Sequence, residues 1–149
     1  MYGICNLSIV PCRAEPSGKS EMVTQLLLGE HFVILEEKEE WIKIRTAIDN
    51  YECWISHKQY SPIKEKTFTE LQNKAAVQTN ELFSLIVDKE NGTTLPIVMG
   101  SKLPGFDKGL FKLEENSSYQ FEGTTSENKK PNPKDILETA HQFLNAPYL

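Results

Sequence analysis

Short apolar runs, each closed by a turn signal within a few residues, fill the first 62 residues of this 149-residue chain. The runs span residues 4–10, 22–27, 31–36, 41–45 and 53–56. Runs this short match the strands of a small β-barrel, whereas helices in globular proteins usually need ten or more residues. The pattern therefore predicts an all-β unit over residues 1–62.

A connector at 63–75 follows, and it is predicted to hold one short helix with Phe68 and Leu71 facing inward. Beyond it, residues 76–127 predict a second β-rich unit. Residues 128–149 then read as a polar, proline-containing linker followed by one helix.

Within the second unit, the continuous apolar run at 82–87 indicates a buried strand. Asn91-Gly92 predicts a tight type I′ hairpin turn, because both central residues of that turn need a positive φ. A return strand is expected at 94–99, where Pro96 requires the edge of a sheet. A further pair of strands is expected at 110–113 and 119–122.

The last helix carries clear start signals. Asn132 is the expected N-cap, Pro133 suits the first helical position, and the carboxylate of Asp135 favours the positive end of the helix. Apolar residues recur at helical spacing and give the helix one apolar face: Ile136, Leu137, Ala140, Phe143 and Leu144. Such a face packs either on the chain's own barrels or on a further domain.

Charge and hydropathy exclude several classes of function. The 16 basic and 21 acidic residues give a net charge of −5, which argues against nucleic-acid binding. The longest apolar runs are too short to span a membrane. No basic residue precedes the first apolar run, so no secretory signal is recognised and a cytoplasmic protein is expected. No cofactor motif is present, and none is predicted.

The thiols and imidazoles do not form a recognisable catalytic pattern. Cys5, Cys12 and Cys53 are odd in number and lack CxxC spacing, so they predict buried small residues in a reducing compartment. They predict neither a disulfide framework nor a zinc site. The three histidines are all expected at the surface: His31, His57 and His141. The chain by itself is therefore predicted not to catalyse a reaction.

The unit at 1–62 resembles the bacterial SH3-like domain over nearly its full length. The similarity lies in Val10-Pro11-x-Arg13, then Gly29-Glu30, then Trp41-Ile42-Lys43-Ile44, and finally Tyr51-x-x-Trp54-Ile55. Asn50 and Cys53 stand where that family usually has glycine, and Asn tolerates the left-handed backbone that such a glycine adopts. By its order along the chain, the unit at 76–127 resembles the second, divergent SH3-like domain of multi-domain NlpC-type cysteine peptidases.

The tail resembles the first helix of the NlpC-type peptidase domain. In that family an Ala-x-x-Phe-Leu-x-x-Pro-Tyr stretch leads into the nucleophile motif. The five specified residues are present here as Ala140, Phe143, Leu144, Pro147 and Tyr148, and Leu149, which comes next, also matches the family. The resemblance implies a mainly β architecture of two tandem SH3-like barrels, followed by a linker and the start of a truncated α+β papain-like domain.

The same resemblance implies a function. The parent would be a cytoplasmic murein-peptide hydrolase that cleaves the γ-D-Glu–diamino acid bond and releases L-Ala-D-Glu. In such enzymes the first SH3-like domain closes the pocket for the free amino end of the peptide. A tyrosine and a glutamate hold that ammonium group, and they carry over to Tyr51 and to Glu21 or, as second choice, Glu15.

Two alternatives stay open at the level of sequence. Tyr51 can be a partly exposed barrel residue, and both glutamates can be solvated charges without a ligand. The whole chain can also be a standalone peptide- or wall-binding module without an enzymatic parent. The partners expected under the first reading are the peptide L-Ala-γ-D-Glu-diamino acid and a C-terminal peptidase domain, with no nucleic acid and no membrane span.

Overall fold

The computed structural model describes residues 1–115, 117–126 and 132–146, and these are mainly β, as predicted. The first unit is an antiparallel sheet of seven strands. They are β1 (Tyr2–Ile4), β2 (Ile9–Arg13), β3 (Met22–Leu27), β4 (His31–Lys38), β5 (Trp41–Thr46), β6 (Glu52–Ser56) and β7 (Ser61–Ile63). The strands are arranged in the order β3-β2-β6-β5-β4-β1-β7.

The first sheet wraps around a core built from alternating positions of its strands. On β5, Ile42 and Ile44 are buried while Trp41 and Lys43 lie on the opposite face, as the alternation predicts. Burial of each such isoleucine contributes roughly 1.5–3 kcal/mol. The buried members of this core are Cys5, Val10, Cys12, Leu26, Phe32, Ile34, Ile42, Ile44, Cys53 and Ile55.

One predicted strand is wrong. The run at 4–10 is divided between β1 and β2, because the chain bends after Ile4. The Cys5 amide donates to the Glu30 carbonyl at 2.8 Å, and the Gly29 amide donates to the Cys5 carbonyl at 2.9 Å. The bend lets β1 pair with β4 and β7 while β2 pairs with β3 and β6.

The connector contains the expected helix, α1 (Glu65–Asn73). Phe68 and Leu71 are half-buried on its inner side. The Phe68 ring lies 4.4 Å from the Tyr2 ring and 5.2 Å from the His31 imidazole, measured between centroids. The helix is therefore fixed to the first sheet through aromatic contacts.

The second unit contains a four-stranded and a three-stranded antiparallel sheet. The strands are β8 (Val77–Thr79), β9 (Phe83–Asp88), β10 (Thr94–Val98), β11 (Lys102–Leu103), β12 (Leu110–Phe111), β13 (Tyr119–Phe121) and β14 (Thr125–Ser126). Their orders are β10-β9-β13-β12 and β11-β8-β14. The pairing of β12 with β13 confirms the last predicted pair of strands.

The β9–β10 hairpin confirms some expectations and corrects others. Pro96 lies on β10, an edge strand, as its missing amide requires. The strand at 82–87 is wrong as a fully buried element, since Phe83 is 62% exposed while Ile86 is buried. The turn is not type I′: Gly92 has a φ of 74°, but Asn91 has no positive φ.

The two units share a core. Ile4 and Leu28 come from the first unit, yet they are buried among residues of the second: Ile86, Ile97, Leu103, Phe111, Leu113 and Phe121. The Lys102 amide donates to the Leu28 carbonyl at 2.8 Å, so the backbones of the two units also meet directly. Gly29 allows this approach, because it has a φ of 78° and a Cβ there would lie 2.9 Å from the Lys102 carbonyl carbon.

The last helix, α2 (Pro133–Gln142), starts as predicted. Asn132 accepts a hydrogen bond from the Asp135 amide, and Asp135 accepts one from the Asn132 amide, which together form a capping box. Its apolar face is exposed to solvent, with Leu137 60% exposed. Neither α1 nor α2 has the length and apolar character that crossing a bilayer requires. Three residues of the tail resemblance lie outside the described ranges: Pro147, Tyr148 and Leu149.

The expectation that all three histidines lie at the surface is wrong for His31, whose side chain is only 8% exposed. It is the first residue of β4, where the first sheet, α1 and the second unit converge. Surface exposure was expected because a turn precedes His31 in the sequence. In the structure that turn contacts the second unit instead of solvent.

Candidate functional site

Two loops meet at one end of the first sheet. Arg13, the last residue of β2, pairs with Trp54 of β6 in antiparallel register. The loop 14–21 that leaves β2 and the turn 47–51 that enters β6 therefore lie at the same end of the sheet. The predicted residues Glu15 and Glu21 belong to this loop, and Tyr51 belongs to this turn.

Tyr51 is held firmly by its backbone. Its amide donates to the Thr46 hydroxyl oxygen at 2.9 Å and to the Asp49 carboxylate at 3.2 Å, and its carbonyl accepts from the Thr46 amide at 3.0 Å. Asn50 adopts the left-handed φ of 60° that its position in the turn demands. The Tyr51 side chain remains 44% exposed, so the phenol projects from a fixed turn.

Thr46 and Asp49 are the residues behind this rigidity, and the sequence reasoning missed them. Thr46 is 5% exposed and its hydroxyl donates to the Asp49 carboxylate. This hydrogen bond, with a second from the Tyr51 amide, holds the pKa of Asp49 below its usual value. The signal available in the sequence was Thr46-x-x-Asp49-Asn50, because Thr and Asp three residues apart commonly close a turn through their side chains.

Glu15 and Glu21 lie on opposite arms of one narrow loop. The Ala14 amide donates to the Glu21 carbonyl at 3.0 Å, and the Glu15 amide donates to the Ser20 hydroxyl at 3.0 Å. Both carboxylates are exposed. Among the described residues, neither carboxylate forms an ion pair, and no hydrogen bond joins either of them to Tyr51. The structure thus brings the three predicted residues to one end of the sheet without joining their side chains.

The outer face next to these loops carries a covered aromatic ring. Trp54 points away from the core and is nevertheless only 7% exposed. Its cross-strand partners are Arg13 on β2 and Lys43 on β5, and the Lys38 ammonium lies 5.0 Å from the centre of its ring. Cation–π contact with Lys38 stabilises the indole by roughly 0.5–1 kcal/mol at a site of this kind. The arrangement packs Trp54 at the rim and leaves the loop 14–21 as the accessible part.

The three thiols are not available for nucleophilic chemistry. Cys5, Cys12 and Cys53 are each at most 1% exposed and lie in the core of the first sheet. Burial raises the pKa of Cys5 to about 12, and the hydrogen bond with Cys53 together with burial raises the pKa of Cys12. Cys5 and Cys12 are thus held as thiols, whereas the thiolate is the nucleophile. The hydrogen bond with Cys12 lowers the pKa of Cys53, but the Cys53 side chain is closed to solvent and cannot reach a peptide.

The described part of the chain does not contain a cluster of metal-ligating side chains. Over residues 1–115, 117–126 and 132–146, no group of three or more His, Cys, Asp or Glu side chains could hold a metal ion. At the end of the first sheet, Tyr51, Glu15 and Glu21 offer a phenol and two carboxylates, groups that can recognise a cation.

Comparison with known proteins supports the description of the first sheet. Residues 12–59 match the sequence model of a family described as the bacterial dipeptidyl-peptidase Sh3 domain. The matched segment runs from within β2 to beyond β6 and contains Glu15, Glu21 and Tyr51. A comparison with curated proteins gives no match to this chain.

A solved structure has the same fold. The crystal structure of an NlpC/P60 family protein from Bacillus cereus ATCC 10987 superimposes with a TM-score of 0.77 and 14% sequence identity. The alignment covers 100% of this chain and 65% of that protein. The chain thus spans a little under two thirds of the length of its structural relative. The likeness extends over both β units and α2, and it confirms a mainly β fold that includes an SH3-like domain.

Proposed function

We propose that this chain is the non-catalytic, substrate-facing part of a cytoplasmic peptidase that acts on murein peptides. Its first barrel would bind the free amino end of L-Ala-γ-D-Glu-diamino acid through Tyr51 and a glutamate. The observation that carries the proposal is that the segment matching the dipeptidyl-peptidase Sh3 domain contains all three predicted residues at one end of one sheet.

The chemistry of the two loops suits an ammonium ion. An ammonium group removed from water needs an anion and hydrogen-bond acceptors, because an unpaired charge is costly to desolvate. Glu21 or Glu15 supplies the anion, and the phenol oxygen of Tyr51 supplies an acceptor on a turn that is already ordered. An ordered turn loses little conformational entropy on binding, which favours affinity.

The exposed apolar face of α2 supports the second part of the proposal, that this helix is the first helix of a peptidase domain. The side chains of Ile136 and Leu137 are 56% and 60% exposed, and both belong to a well-capped helix. Phe143 and Leu144, which the sequence placed on the same face, are also exposed but lie just after the helix ends at Gln142. Exposed apolar stripes of this kind mark surfaces that pack on another element. The NlpC/P60 relative is longer than this chain, which is consistent with a further domain after α2.

The test is a binding titration with the whole chain, followed by NMR of backbone amides. The ligand is L-Ala-γ-D-Glu-meso-diaminopimelate, and the matched ligand is the same peptide acetylated on its amino group. We expect shifts confined to residues 14–21 and 47–51, and no binding of the acetylated peptide. Equal binding of the two peptides, or shifts confined to another surface, would show the proposal to be wrong.

Substitutions assign the contacts. Tyr51→Phe should weaken peptide binding about fivefold, which is the effect of losing one hydrogen bond. Replacing the glutamate that binds the ammonium group by Gln should weaken binding about tenfold or more. Tyr2→Phe on β1 and Glu70→Gln on α1 are the matched controls and should bind normally. Comparing Glu21→Gln with Glu15→Gln decides between the two carboxylates.

A further inference from the structure

An open cavity of about 430 Å³ lies where the first sheet, α1 and the second unit converge. We call it the interface cavity. Its inner wall includes Gly29 and His31 from the first unit and Lys102 from the second, and Leu71 and Lys74 of the connector line another side. It shares Ala47 and Ile48 with the turn 47–51, but it contains neither Tyr51 nor any residue of the loop 14–21. A ligand here therefore differs from the proposed peptide in leaving the loop 14–21 unchanged.

The first pointer to a ligand is His31. It is 92% buried by solvent accessibility, and within the described residues neither of its ring nitrogens has a hydrogen-bond partner. Burial together with the charge of Lys102 lowers the pKa of His31 to about 4, so the ring is neutral at pH 7 and offers one donor and one acceptor. A buried polar group without a partner costs roughly 1–3 kcal/mol. Both ring nitrogens are closed to solvent, so a ligand recovers this cost only if a side chain covering the ring moves aside.

The second pointer is the charge of the walls. Lys102 is largely buried, with 16% of its side chain exposed, and its ammonium lies 3.5 Å from the Glu30 carboxylate, longer than a good hydrogen bond. The other Glu30 oxygen accepts from the Leu27 amide. Lys74 adds a second positive charge at the rim, and none of the described lining residues is acidic. The described lining therefore carries positive charge and no negative charge, which favours an anion over a cation even though the Glu30 carboxylate offsets part of the charge of Lys102.

The third pointer is the apolar part of the walls. Leu71 of α1 and Pro104 of the second unit line the cavity together with His31 and Lys102, and Ile48 lies at the mouth of the cavity. A bare inorganic anion makes no use of such a surface, whereas an organic acid buries its side chain there. We propose that the interface cavity binds a small organic carboxylate, with its anionic group facing Lys102 and His31 and its apolar part against Leu71 and Pro104.

The test uses the whole chain and two probes of equal shape. N-acetyl-L-leucine carries the carboxylate, and N-acetyl-L-leucinamide replaces it with a neutral amide. The readout is the ring resonance of His31 in ¹H–¹³C NMR during a titration at pH 7. We expect a saturable shift with the acid and binding at least tenfold weaker with the amide, because a charge-assisted hydrogen bond is lost. Equal affinity, or shifts that leave the His31 ring unchanged, would overturn the proposal.

Variants and a third probe complete the design. Lys102→Gln should weaken the binding of N-acetyl-L-leucine at least tenfold. Lys58→Gln, which removes an exposed lysine outside the cavity, should leave that binding unchanged. If Lys102→Gln does not fold, Lys74→Gln at the rim should still weaken binding about threefold, and unchanged affinity there counts against the site. Inorganic phosphate that binds as tightly as the acid would contradict the role of Leu71 and Pro104. Failure of murein-peptide binding would not affect any of these outcomes.

Discussion

Replacing Gly29 by alanine should disrupt the contact between the two β units. Gly29 has a φ of 78°, which costs a residue with a Cβ roughly 1–2 kcal/mol. The new Cβ would also lie 2.9 Å from the carbonyl carbon of Lys102 and even closer to its oxygen, and relieving such overpacking costs roughly 1–3 kcal/mol. We therefore expect Gly29→Ala to lower the free energy of unfolding by about 2–5 kcal/mol.

Gly92→Ala is the matched control. Gly92 has nearly the same φ, 74°, but a Cβ there meets no atom within 4 Å. It should cost only the backbone term of roughly 1–2 kcal/mol. The difference in unfolding free energy between the two variants therefore measures the cost of the close approach of Gly29 to Lys102. The cost of the left-handed backbone is common to both variants and cancels.

The assay is urea unfolding followed both by tryptophan fluorescence and by far-ultraviolet circular dichroism. Trp41 and Trp54 both lie in the first sheet, so fluorescence reports that unit while dichroism reports the whole chain. We expect the midpoint of Gly29→Ala to lie about 1 M below that of Gly92→Ala, given typical urea slopes. Equal midpoints would refute the reasoning, since they would show that the units tolerate a Cβ at their contact.

Three further outcomes follow from buried or capping groups. Because the pKa of His31 is lowered to about 4 in the folded state, unfolding takes up a proton below pH 6.5, and stability should fall by up to ~3 kcal/mol between pH 6.5 and 4. Chemical unfolding of His31→Phe across that range should show a flatter profile, and an unchanged profile would count against the assignment. Asn132→Ala removes the capping box with Asp135 and should cost α2 about 1 kcal/mol, seen as faster amide exchange in 133–142. Thr46→Val should cost about 1–3 kcal/mol and broaden the amide resonance of Tyr51, because it removes the shorter of the two hydrogen bonds of that amide and the hydroxyl that holds Asp49, its other acceptor.

Local patterns in the sequence were sufficient for most of the first sheet. The run at 22–27 is β3 residue for residue, and the alternation of Ile42 and Ile44 gave the buried face of β5. The cap at Asn132 and the left-handed Asn50 were also predictable, because each depends on neighbours a few residues away.

The failures have one physical cause. The bend at Cys5 is fixed by hydrogen bonds to Gly29 and Glu30, about 25 residues away, and no local pattern records it. The run at 82–87 is half exposed because the second sheet buries only one face of β9. His31 is buried by α1 and by the second unit. Their proximity to His31 can be inferred only once the topology of the chain is known.

The candidate site was predicted only in its residues, not in its geometry. The resemblance identified Tyr51, Glu21 and Glu15, and their roles stay predictions until the peptide is tested. The support under Tyr51 came from the structure, through the Thr46 hydroxyl and the Asp49 carboxylate. The interface cavity could not have been predicted at all, since its walls come from three separate parts of the chain.

The position of Ile4 and Leu28 in the second core limits how this protein can be recombined. A fragment ending after β7 would place both side chains in water, along with the Leu28 carbonyl that now accepts from Lys102. The first barrel is therefore not an independent folding unit that can be transferred to another protein by gene fusion. Any exchange between relatives that preserves folding has to move the two β units and α1 together, so the spacing between the proposed peptide site and the second unit is inherited with them.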